Sequence, residues 1–534
     1  MLIKKTSYYC SNRFAIAVLT CGFSISQAWA LSVYPEHKSD PLIEQGFGLD
    51  GLGFGQVPGQ DYYRNTPGIF FQDNSELVKQ FYYSGLKHLQ EGNKEEGVKD
   101  LEKAWRLAPN QIPTAVALSN IYLKDKKVEN SLDIAKKLQQ AQPSVPHGFI
   151  IEGFSYQTLG DDKKAIAAFE KALSLGKGEP SASAALAEYA LRTKDAQRAR
   201  SLYLDVLKYN PGHTRTLFLL AGLDKNSGDT KEVEALVADA LRKAADDLET
   251  HNQFAQIYEV LRNYSQGIGE LDKALKIQPD DGYTLFAKAR LLASDRQLDA
   301  ARDILSKLSA TYPKSANSRE LEARIALEQN KPDEAVVLFQ EALKLNDNTP
   351  LAIELAVALI RAGKTDDALA VLRTRINSEP TNVSLRAFYA EQLRRNKAFD
   401  EALLQYEEIV RQNPDNIAVH NNLAWMLGQK GDIDSGLRHS KIAYEKAPKD
   451  PNIADTYAEL LLKKGAFAQA EAILLKAYEA LPNSNSVRLH LSEAYLQLNK
   501  RDQAKKLLTE LLAQKGNFDE RSQAEELLKS LSVN

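Results

Sequence analysis

Apolar residues recur along most of this chain at helical spacing, in pairs of segments separated by short polar turns. In each pair, the large apolar side chains of both segments would share one helix face. A Gly-Asp, Gly-Lys or Asn-Lys turn separates the two segments, as at Gly160-Asp161 and Gly363-Lys364. Proline closes many second segments, because it lacks an amide donor and disfavours helical geometry before it. The pattern predicts an all-α chain of helical hairpins.

The hairpins recur with a fixed period. The closing prolines Pro109, Pro143, Pro211 and Pro279 are separated by one period or by two. Thirteen repeats begin near residues 78, 112, 146, 180, 214, 248, 282, 316, 349, 383, 417, 451 and 485, and only the step from 316 to 349 is one residue short. Small residues stand where neighbouring helices must approach closely, and they are Gly153, Ala221, Ala289, Ala424 and Ala458.

One unit shows the repeat most clearly. It runs through Phe149, Gly153, Tyr156, Gly160, Ala165, Phe169 and Ala172. This combination resembles the tetratricopeptide repeat (TPR), and the resemblance covers residues 78–518. It implies a right-handed α-α superhelix, a TPR solenoid, in which the first helix of each repeat lines a concave surface. Residues 519–534 are predicted to form a C-terminal capping helix, because the open end of a solenoid would otherwise expose apolar surface.

The amino-terminal segment has the composition of a secretory signal peptide. Residues 1–30 combine Lys4, Lys5 and Arg13 with a short apolar run, and they end in Ala28-Trp29-Ala30. We predict cleavage after Ala30 and export to the periplasm or outer membrane of a Gram-negative bacterium. One alternative is an uncleaved anchor, although the apolar run is short for a bilayer. Another is lipidation at Cys21, which would attach the protein to a membrane.

Residues 31–77 are predicted to form a linker rich in glycine, proline and aromatic residues. Within it, Gly46-x-Gly48-x-x-Gly51 formally matches a dinucleotide-binding fingerprint. That fingerprint requires a preceding strand and a following helix, whereas prolines flank this segment on both sides. We therefore interpret the match as a coincidence.

Composition and charge exclude several classes of function. The chain has 68 Lys+Arg against 71 Asp+Glu, which argues against nucleic acid as a partner. Both cysteines, Cys10 and Cys21, lie in the predicted signal peptide, and the eight histidines are scattered. We therefore expect no metal, no cofactor and no disulfide framework. The chain also lacks a Gly-x-Ser-x-Gly elbow and a phosphate-binding loop, so we predict that it is not an enzyme.

The predicted concave surface has an apolar zone in the first three repeats. Its main residues are Tyr82, Leu86 and Phe154. An apolar groove suits an amphipathic helix or an aromatic-rich peptide of a partner protein. Two alternatives remain open, namely that the chain covers this groove with its own segment Tyr62–Phe71, or that the predicted facing is wrong by one residue.

Arginines mark a second zone in the middle repeats. Arg290, Arg324 and Arg394 alternate with glutamates on the predicted concave positions. Guanidinium groups suit carboxylates, so an acidic peptide or a uronic-acid polymer is a candidate partner. The alternative is ordinary alternating charge on a solvated surface.

A third zone surrounds Trp425. This tryptophan is a candidate anchor for a partner or for a sugar ring, and the alternative is a core tryptophan between repeats. Asn421 and Asn422 precede it on the same predicted helix. They are candidates to bind a peptide backbone, or else they hydrogen-bond to the neighbouring hairpin.

The C-terminal repeats carry a finer resemblance. Asn421-Asn422-Leu423-Ala424-Trp425, then Gly431-Asp432, Ala443–Pro448 and the apolar ending up to Leu531 resemble the TPR proteins of bacterial exosortase and exopolysaccharide (PEP-CTERM-type) gene clusters. The resemblance covers about Ile417–Leu531. The chain is short for that group and lacks a convincing lipobox before Cys21.

These observations predict a non-enzymatic, exported scaffold whose partners are other proteins. The expected setting is a bacterial envelope assembly, with exopolysaccharide biosynthesis or export as the predicted pathway. One alternative is direct polysaccharide binding, with Trp425, Tyr82 and Phe154 stacking on sugars. The other is a periplasmic chaperone-like role in the assembly of outer-membrane proteins or pili.

Overall fold

The computed structural model describes residues 76–514, 518 and 520–532. In this part of the chain, every regular element is an α-helix, and the 27 helices form thirteen pairs followed by one terminal helix. The predicted all-α fold class, with about thirteen helix-turn-helix repeats and a C-terminal helix, is confirmed. The predicted signal peptide and nearly all of the predicted linker lie outside the described residues. Among the described helices, none is long and apolar enough to cross a bilayer.

Contacts divide the chain into two compact units, with the boundary between Ile325 and Ala326. The helices that begin before this boundary are α1 (Glu76–Gln90), α2 (Lys94–Leu107), α3 (Ile112–Lys124), α4 (Val128–Ala141), α5 (His147–Thr158), α6 (Asp162–Leu175), α7 (Pro180–Arg192), α8 (Ala196–Tyr209), α9 (Thr214–Ser227), α10 (Lys231–Lys243), α11 (Leu248–Val260), α12 (Tyr264–Ile277), α13 (Gly282–Ser294), α14 (Leu298–Thr311) and α15 (Ala316–Glu328).

The helices that begin after the boundary are α16 (Pro332–Leu345), α17 (Thr349–Arg361), α18 (Thr365–Ser378), α19 (Val383–Arg395), α20 (Phe399–Gln412), α21 (Ile417–Lys430), α22 (Ile433–Lys446), α23 (Pro451–Lys463), α24 (Phe467–Ala480), α25 (Asn485–Gln497), α26 (Arg501–Leu512) and α27 (Arg521–Ser532). The last helix, α27, packs Ala524 against Leu489, Leu508 and Leu511, so it covers the apolar side of the thirteenth pair.

Within each unit, helices pack mainly on their neighbours in sequence. The two helices of a pair contact each other, and the second helix contacts the first helix of the next pair. First helices of consecutive pairs also touch, as α9 touches α11 and α23 touches α25. The first helices therefore come together along one side of each unit, called here the first-helix face.

Small residues allow the close approach of paired helices. Gly153 in α5 faces the ring of Phe169 in α6, and a Cβ atom on this glycine would lie 2.5 Å from the ring carbon Cε1. The four alanines predicted to lie at close approaches, Ala221, Ala289, Ala424 and Ala458, are fully buried. Close helix–helix contacts thus require small residues at these positions, and the recurrence of such residues shows the repeat period in the sequence.

Each turn between paired helices contains a residue with a positive φ. Thirteen residues occupy this position, namely Gly92, Lys126, Gly160, Lys194, Gly228, Arg262, Arg296, Asn330, Gly363, Lys397, Gly431, Gly465 and Asn499. They follow one another at the repeat period, except that the step from Asn330 to Gly363 is one residue shorter. A left-handed residue reverses the chain after the first helix, as at many helix C-termini. The backbone therefore keeps the same turn even where glycine is absent.

Candidate interaction surface

The apolar zone predicted in the first repeats is only partly accessible. Tyr82 and Leu86 in α1 are half-buried, and burial raises the pKa of the Tyr82 hydroxyl to about 12. Phe154 in α5 is 5% exposed, and its ring packs edge-on against Phe169 with 5.0 Å between the ring centroids. Phe154 therefore stabilises its own hairpin and offers little surface for stacking on a partner or a sugar.

The predicted arginines form ion pairs on the first-helix face. Arg290 in α13 approaches Glu259 in α11 to 2.6 Å. Arg324 pairs with Glu320, one turn earlier in α15. Their side chains are only 17% and 14% exposed. A partner carboxylate would have to share these guanidinium groups with glutamates of the chain itself.

Arg394 lies deeper than the sequence pattern predicts. Its side chain is 5% exposed and donates two hydrogen bonds of 2.8 Å to the carboxylate of Glu391. Arg395 donates a third hydrogen bond, also of 2.8 Å, to the same carboxylate. Burial alone would raise the pKa of Glu391, but the hydrogen bonds from the two arginines outweigh burial and lower it. Arg394 is thus a buried ionic partner and not an exposed fork of donors.

Trp425 lies beside this buried ion pair. The guanidinium carbon of Arg394 is 5.7 Å from the centroid of the Trp425 ring, a distance suited to a cation–π interaction. The tryptophan is half-buried. The arginine, itself fixed by Glu391, therefore helps to orient a ring that keeps part of its surface at the first-helix face of α21.

The two asparagines of α21 are buried. Asn421 and Asn422 are 8% and 4% exposed. In the described part of the chain, the carbonyl oxygen Oδ1 of Asn421 is buried without a hydrogen-bond partner. A buried polar atom left unpaired costs roughly 1–3 kcal/mol. Asn421 and Trp425 are four residues apart and so share one side of α21, where they form, together with Arg394 and Glu391, a cluster called here the Trp425 patch.

Acidic residues continue along the first helices after the Trp425 patch. The carboxylate oxygen Oδ1 of Asp455 in α23 lies 2.8 Å from Nδ1 of His490 in α25. Glu459 pairs with Lys463 at 2.9 Å. Burial raises the pKa of Glu493 in α25. Acidic side chains thus lie on both of the first helices α23 and α25 at this end of the carboxyl-terminal unit.

Three hairpins each contain a polar pair that was not predicted from the sequence. His251 meets Glu270 at 2.8 Å, and His420 meets His439 with 2.9 Å between their Nδ1 atoms. The third pair joins the side chains of Arg386 and Gln405. In each pair the two residues are 19 positions apart, on the first and second helix of one repeat. A polar residue at the fourth position of a first helix, with a polar counterpart at this spacing, is the sequence signal that would have found them.

A cavity of about 340 Å³ lies between the amino-terminal ends of α7, α9 and α11 and the last turn of α10. Several of its polar groups form hydrogen bonds within the cavity wall. Asp247 accepts the backbone N–H of Thr250 at 2.8 Å, and Gln253 joins Thr214 to Glu249. Within the described residues, no group of three or more His, Cys, Asp and Glu side chains is arranged to hold a metal ion. The hydrogen bond between Thr214 and Gln253 joins the starts of α9 and α11 across the cavity.

The predicted site residues differ in how accessible their side chains are. Tyr82, Leu86 and Trp425 keep part of their surface accessible, whereas Phe154, Arg394, Asn421 and Asn422 are buried. Arg290 and Arg324 lie between these two extremes. Partner binding by the accessible residues stays a prediction. The geometry favours the Trp425 patch as the candidate site, because its aromatic ring is held by Arg394 and keeps part of its surface accessible.

Family models match three segments of the chain. Residues 326–391 and 461–531 match one model described as a tetratricopeptide repeat, and residues 153–221 match a second with the same description. Together these segments cover less than half of the chain. Each of them begins and ends within one of the helices described above.

Two curated proteins are similar to parts of the chain. Superkiller protein 3 of Saccharomyces cerevisiae is 22% identical over 294 residues, which are 50% of this chain and 20% of the relative. Protein O-mannosyl-transferase TMTC1 of Homo sapiens is 24% identical over 216 residues, which are 40% of this chain and 24% of the relative. The chain thus spans a quarter or less of the length of these relatives.

Two solved structures are also similar to the chain. The APC/C hetero-tetramer Cut9–Hcn1 matches with 15% identity and a TM-score of 0.34, over 86% of this chain and 97% of the solved one. YrrB, a TPR protein with an unusual peptide-binding site, matches with 20% identity and a TM-score of 0.29, over 34% and 95%. From the family models and the thirteen observed helix pairs, we conclude that the chain contains tetratricopeptide repeats.

Proposed function

We propose that this chain is a scaffold that binds other proteins through its first-helix face and has no catalytic activity of its own. The Trp425 patch carries the proposal. There, a partly accessible tryptophan is oriented by a buried arginine. Tryptophan is a preferred anchor in protein interfaces.

The finer proposal concerns where the scaffold works. We propose that it is exported to the envelope of a Gram-negative bacterium and holds proteins of an exopolysaccharide biosynthesis or export assembly. The basic and apolar composition of residues 1–30 supports export. The resemblance of residues 417–531 to TPR proteins of exosortase and exopolysaccharide gene clusters supports the pathway. Mass spectrometry of the mature amino terminus tests export and attachment, because cleavage before Leu31 gives an unmodified terminus and lipidation starts the chain at Cys21.

A pull-down with the full mature chain tests protein binding. The immobilised protein is exposed to an envelope extract of the source bacterium, beside two variants. Trp425→Ala removes the anchor, whereas Leu475→Ala removes a 37% exposed apolar side chain from the second helix α24. Truncating an interface tryptophan costs about 2 kcal/mol or more, so we expect Trp425→Ala to lose a protein that the wild type and Leu475→Ala both retain. Recovery of the same proteins by all three chains would contradict the proposal.

Direct polysaccharide binding is the competing function, since the same half-buried ring is suited to stack on a sugar. Tryptophan emission separates the two in a Trp105→Phe background, because Trp105 is itself buried and Trp29 belongs to the predicted signal peptide. Titration with neutral and anionic polysaccharides should leave Trp425 emission unchanged if the partner is a protein. A saturable shift in this emission would favour the polysaccharide function.

A further inference from the structure

The link between α10 and α11, residues 244–247, lacks the backbone bond that closes the corresponding link of the next repeat. Between α12 and α13, the N–H of Asp281 donates to the carbonyl oxygen of Gln278 at 3.3 Å. In the described part of the chain, the N–H of Asp247 makes no equivalent bond across its own link. The α10–α11 link therefore depends more on its side chains than the next link does.

Asp246 connects this link to the first turn of α11. Its carboxylate oxygen Oδ1 lies 2.7 Å from the ring nitrogen Nε2 of His251. The other ring nitrogen, Nδ1, lies 2.8 Å from Oε2 of Glu270 in α12. The side chains of His251 and Glu270 are 5% and 4% exposed, whereas that of Asp246 is 90% exposed. One buried imidazole thus joins an exposed carboxylate of the link to a buried carboxylate of the next helix.

The two contacts require two N–H groups on one ring. An ionised carboxylate only accepts hydrogen bonds, and a neutral imidazole carries a single N–H. The imidazolium form of His251 can therefore donate to both carboxylates, and the neutral form to one. Lys273 donates to Oε1 of Glu270 at 2.9 Å, so only Oε2 depends on the ring. The neutral ring keeps its N–H towards Glu270, because a buried acceptor is more costly to leave unpaired than an exposed one. Deprotonation thus breaks the contact with Asp246.

Other charged and titratable groups surround this end of α11. Hydrogen bonds to other partners engage four of them, since Lys243 of α10 donates to Asp239, Asp247 of the link accepts from the backbone of Thr250, Glu249 accepts from Gln253, and Asp281 of α13 accepts from Thr284. From α9, Arg215 and His213 line the cavity beside the link, and burial lowers the pKa of His213 to about 4. Burial and the charge of Glu270 raise the pKa of Tyr258. Imidazole is the side chain whose charge ordinarily changes between pH 5 and 8.

The link also belongs to the wall of the cavity between α7, α9 and α11. Ala244, Ala245 and Asp247 line this cavity beside the last turn of α10. The buried residues of α10 are small, namely Val233, Val237 and Ala240. Loss of the contact between the link and α11 should therefore loosen the last turn of α10 together with the cavity wall.

We propose that Asp246, His251 and Glu270 form a pH-sensitive latch, called here the Asp246 latch, which fastens this cavity wall to α11. The latch is closed when the imidazole is protonated and open when it is neutral. Because the closed state binds one more proton than the open state, the closed population falls as pH rises. The proposal goes beyond the proposed function and does not depend on it, since the Trp425 patch lies in the other compact unit.

Amide hydrogen exchange of the full mature chain tests the latch at about pH 5 and pH 8. Protection factors correct for the chemical rate of exchange at each pH. We expect the last turn of α10 and the first turn of α11 to lose protection about fivefold at the higher pH, an effect between that of an exposed ion pair and that of a buried charge-assisted hydrogen bond.

Two substitutions of the exposed Asp246 make opposite predictions. Asp246→Ala removes the acceptor, so protection should be low at both pH values. Asp246→Asn should keep the link closed at both, because the amide can accept from a protonated Nε2 or donate to a neutral one. The matched control is Asp280→Ala. Asp280 is also exposed and stands one repeat later, directly before the N-cap of α13, so this variant should keep the wild-type pH dependence.

Three results would overturn the proposal. The first is equal protection of the wild-type link at both pH values. The second is a pH dependence that survives in Asp246→Ala, because it would then arise from another group. The third is loss of the dependence in Asp280→Ala as well, which would assign it to surface charge in general. The pull-down through Trp425 reports on the other unit of the chain, so either result can fail while the other holds.

Discussion

Replacing Gly153 by alanine tests how closely paired helices approach in this chain. The added Cβ atom would lie 2.5, 2.7 and 2.8 Å from three carbons of the Phe169 ring. That ring is fully buried, and Phe154 packs edge-on against it with 5.0 Å between the ring centroids, so the Phe169 ring has little room to move away from an added Cβ atom. Three contacts this short place the overpacking cost near the upper end of about 1–3 kcal/mol.

Helix propensity opposes this cost. Alanine is better than glycine inside a helix by roughly 1 kcal/mol, which leaves a net destabilisation of about 2 kcal/mol for Gly153→Ala. Gly269→Ala is the matched control. Gly269 lies inside α12, and a Cβ atom there would meet nothing within 4 Å. The control should therefore be stabilised by about 0.5–1 kcal/mol.

Amide hydrogen exchange is the appropriate assay, because a long repeat array opens locally and a single unfolding free energy is poorly defined for it. Peptides from α5 and α6 should exchange about thirtyfold faster in Gly153→Ala, and those from α12 should exchange more slowly in Gly269→Ala. Phe169→Leu should recover part of the loss in the double variant, since it removes ring atoms from the overlap. Slower exchange in both glycine variants would refute the reasoning, because propensity would then outweigh packing at Gly153.

Two further predictions concern turns and pH. Lys397 has a φ of 63°, so Lys397→Gly removes the strain of a left-handed backbone and should stabilise its hairpin by about 1 kcal/mol. Gly431 has a φ of 89°, so Gly431→Ala should destabilise its own hairpin. Equal effects of the two substitutions on amide hydrogen exchange would contradict this prediction. Burial raises the pKa of Glu179 to about 7, against hydrogen bonds from backbone N–H groups of α7 that lower it. Because the folded chain holds this proton more tightly than the unfolded one, stability at α7 should fall as pH rises from about 5 to 8. Glu179→Gln should flatten that dependence, and an unchanged pH profile of exchange in α7 would count against it.

The period and the class of the fold were readable from the sequence, because the same constraint recurs in each repeat. Helix contacts demand small residues at fixed positions, as at Gly153 and Ala424, and a turn demands a reversal of the chain, as at Gly160. Prolines contributed less. The second helices α6 and α16 end without one, at Gly176 and Asn346, because the backbone turn itself is enough to stop the helix.

The accessibility of individual side chains was less predictable. Arg394 occupies a position that helical periodicity places on the predicted surface, yet Glu391, one turn earlier, draws it into a buried ion pair. Phe154 likewise points at Phe169 of its own hairpin.

Because each helix packs mainly on its neighbours in sequence, a chain of this kind can change its number of repeats during evolution. A whole repeat has similar contacts at its two ends, namely a first helix that receives the preceding pair and a second helix that meets the next. Duplication or loss of one repeat in the gene therefore preserves the type of helix–helix contact between the repeats on either side. The left-handed turn residues, most of them one full period apart, keep such an event in phase. The number of hairpins can thus change in evolution while the packing within and between the remaining hairpins is kept.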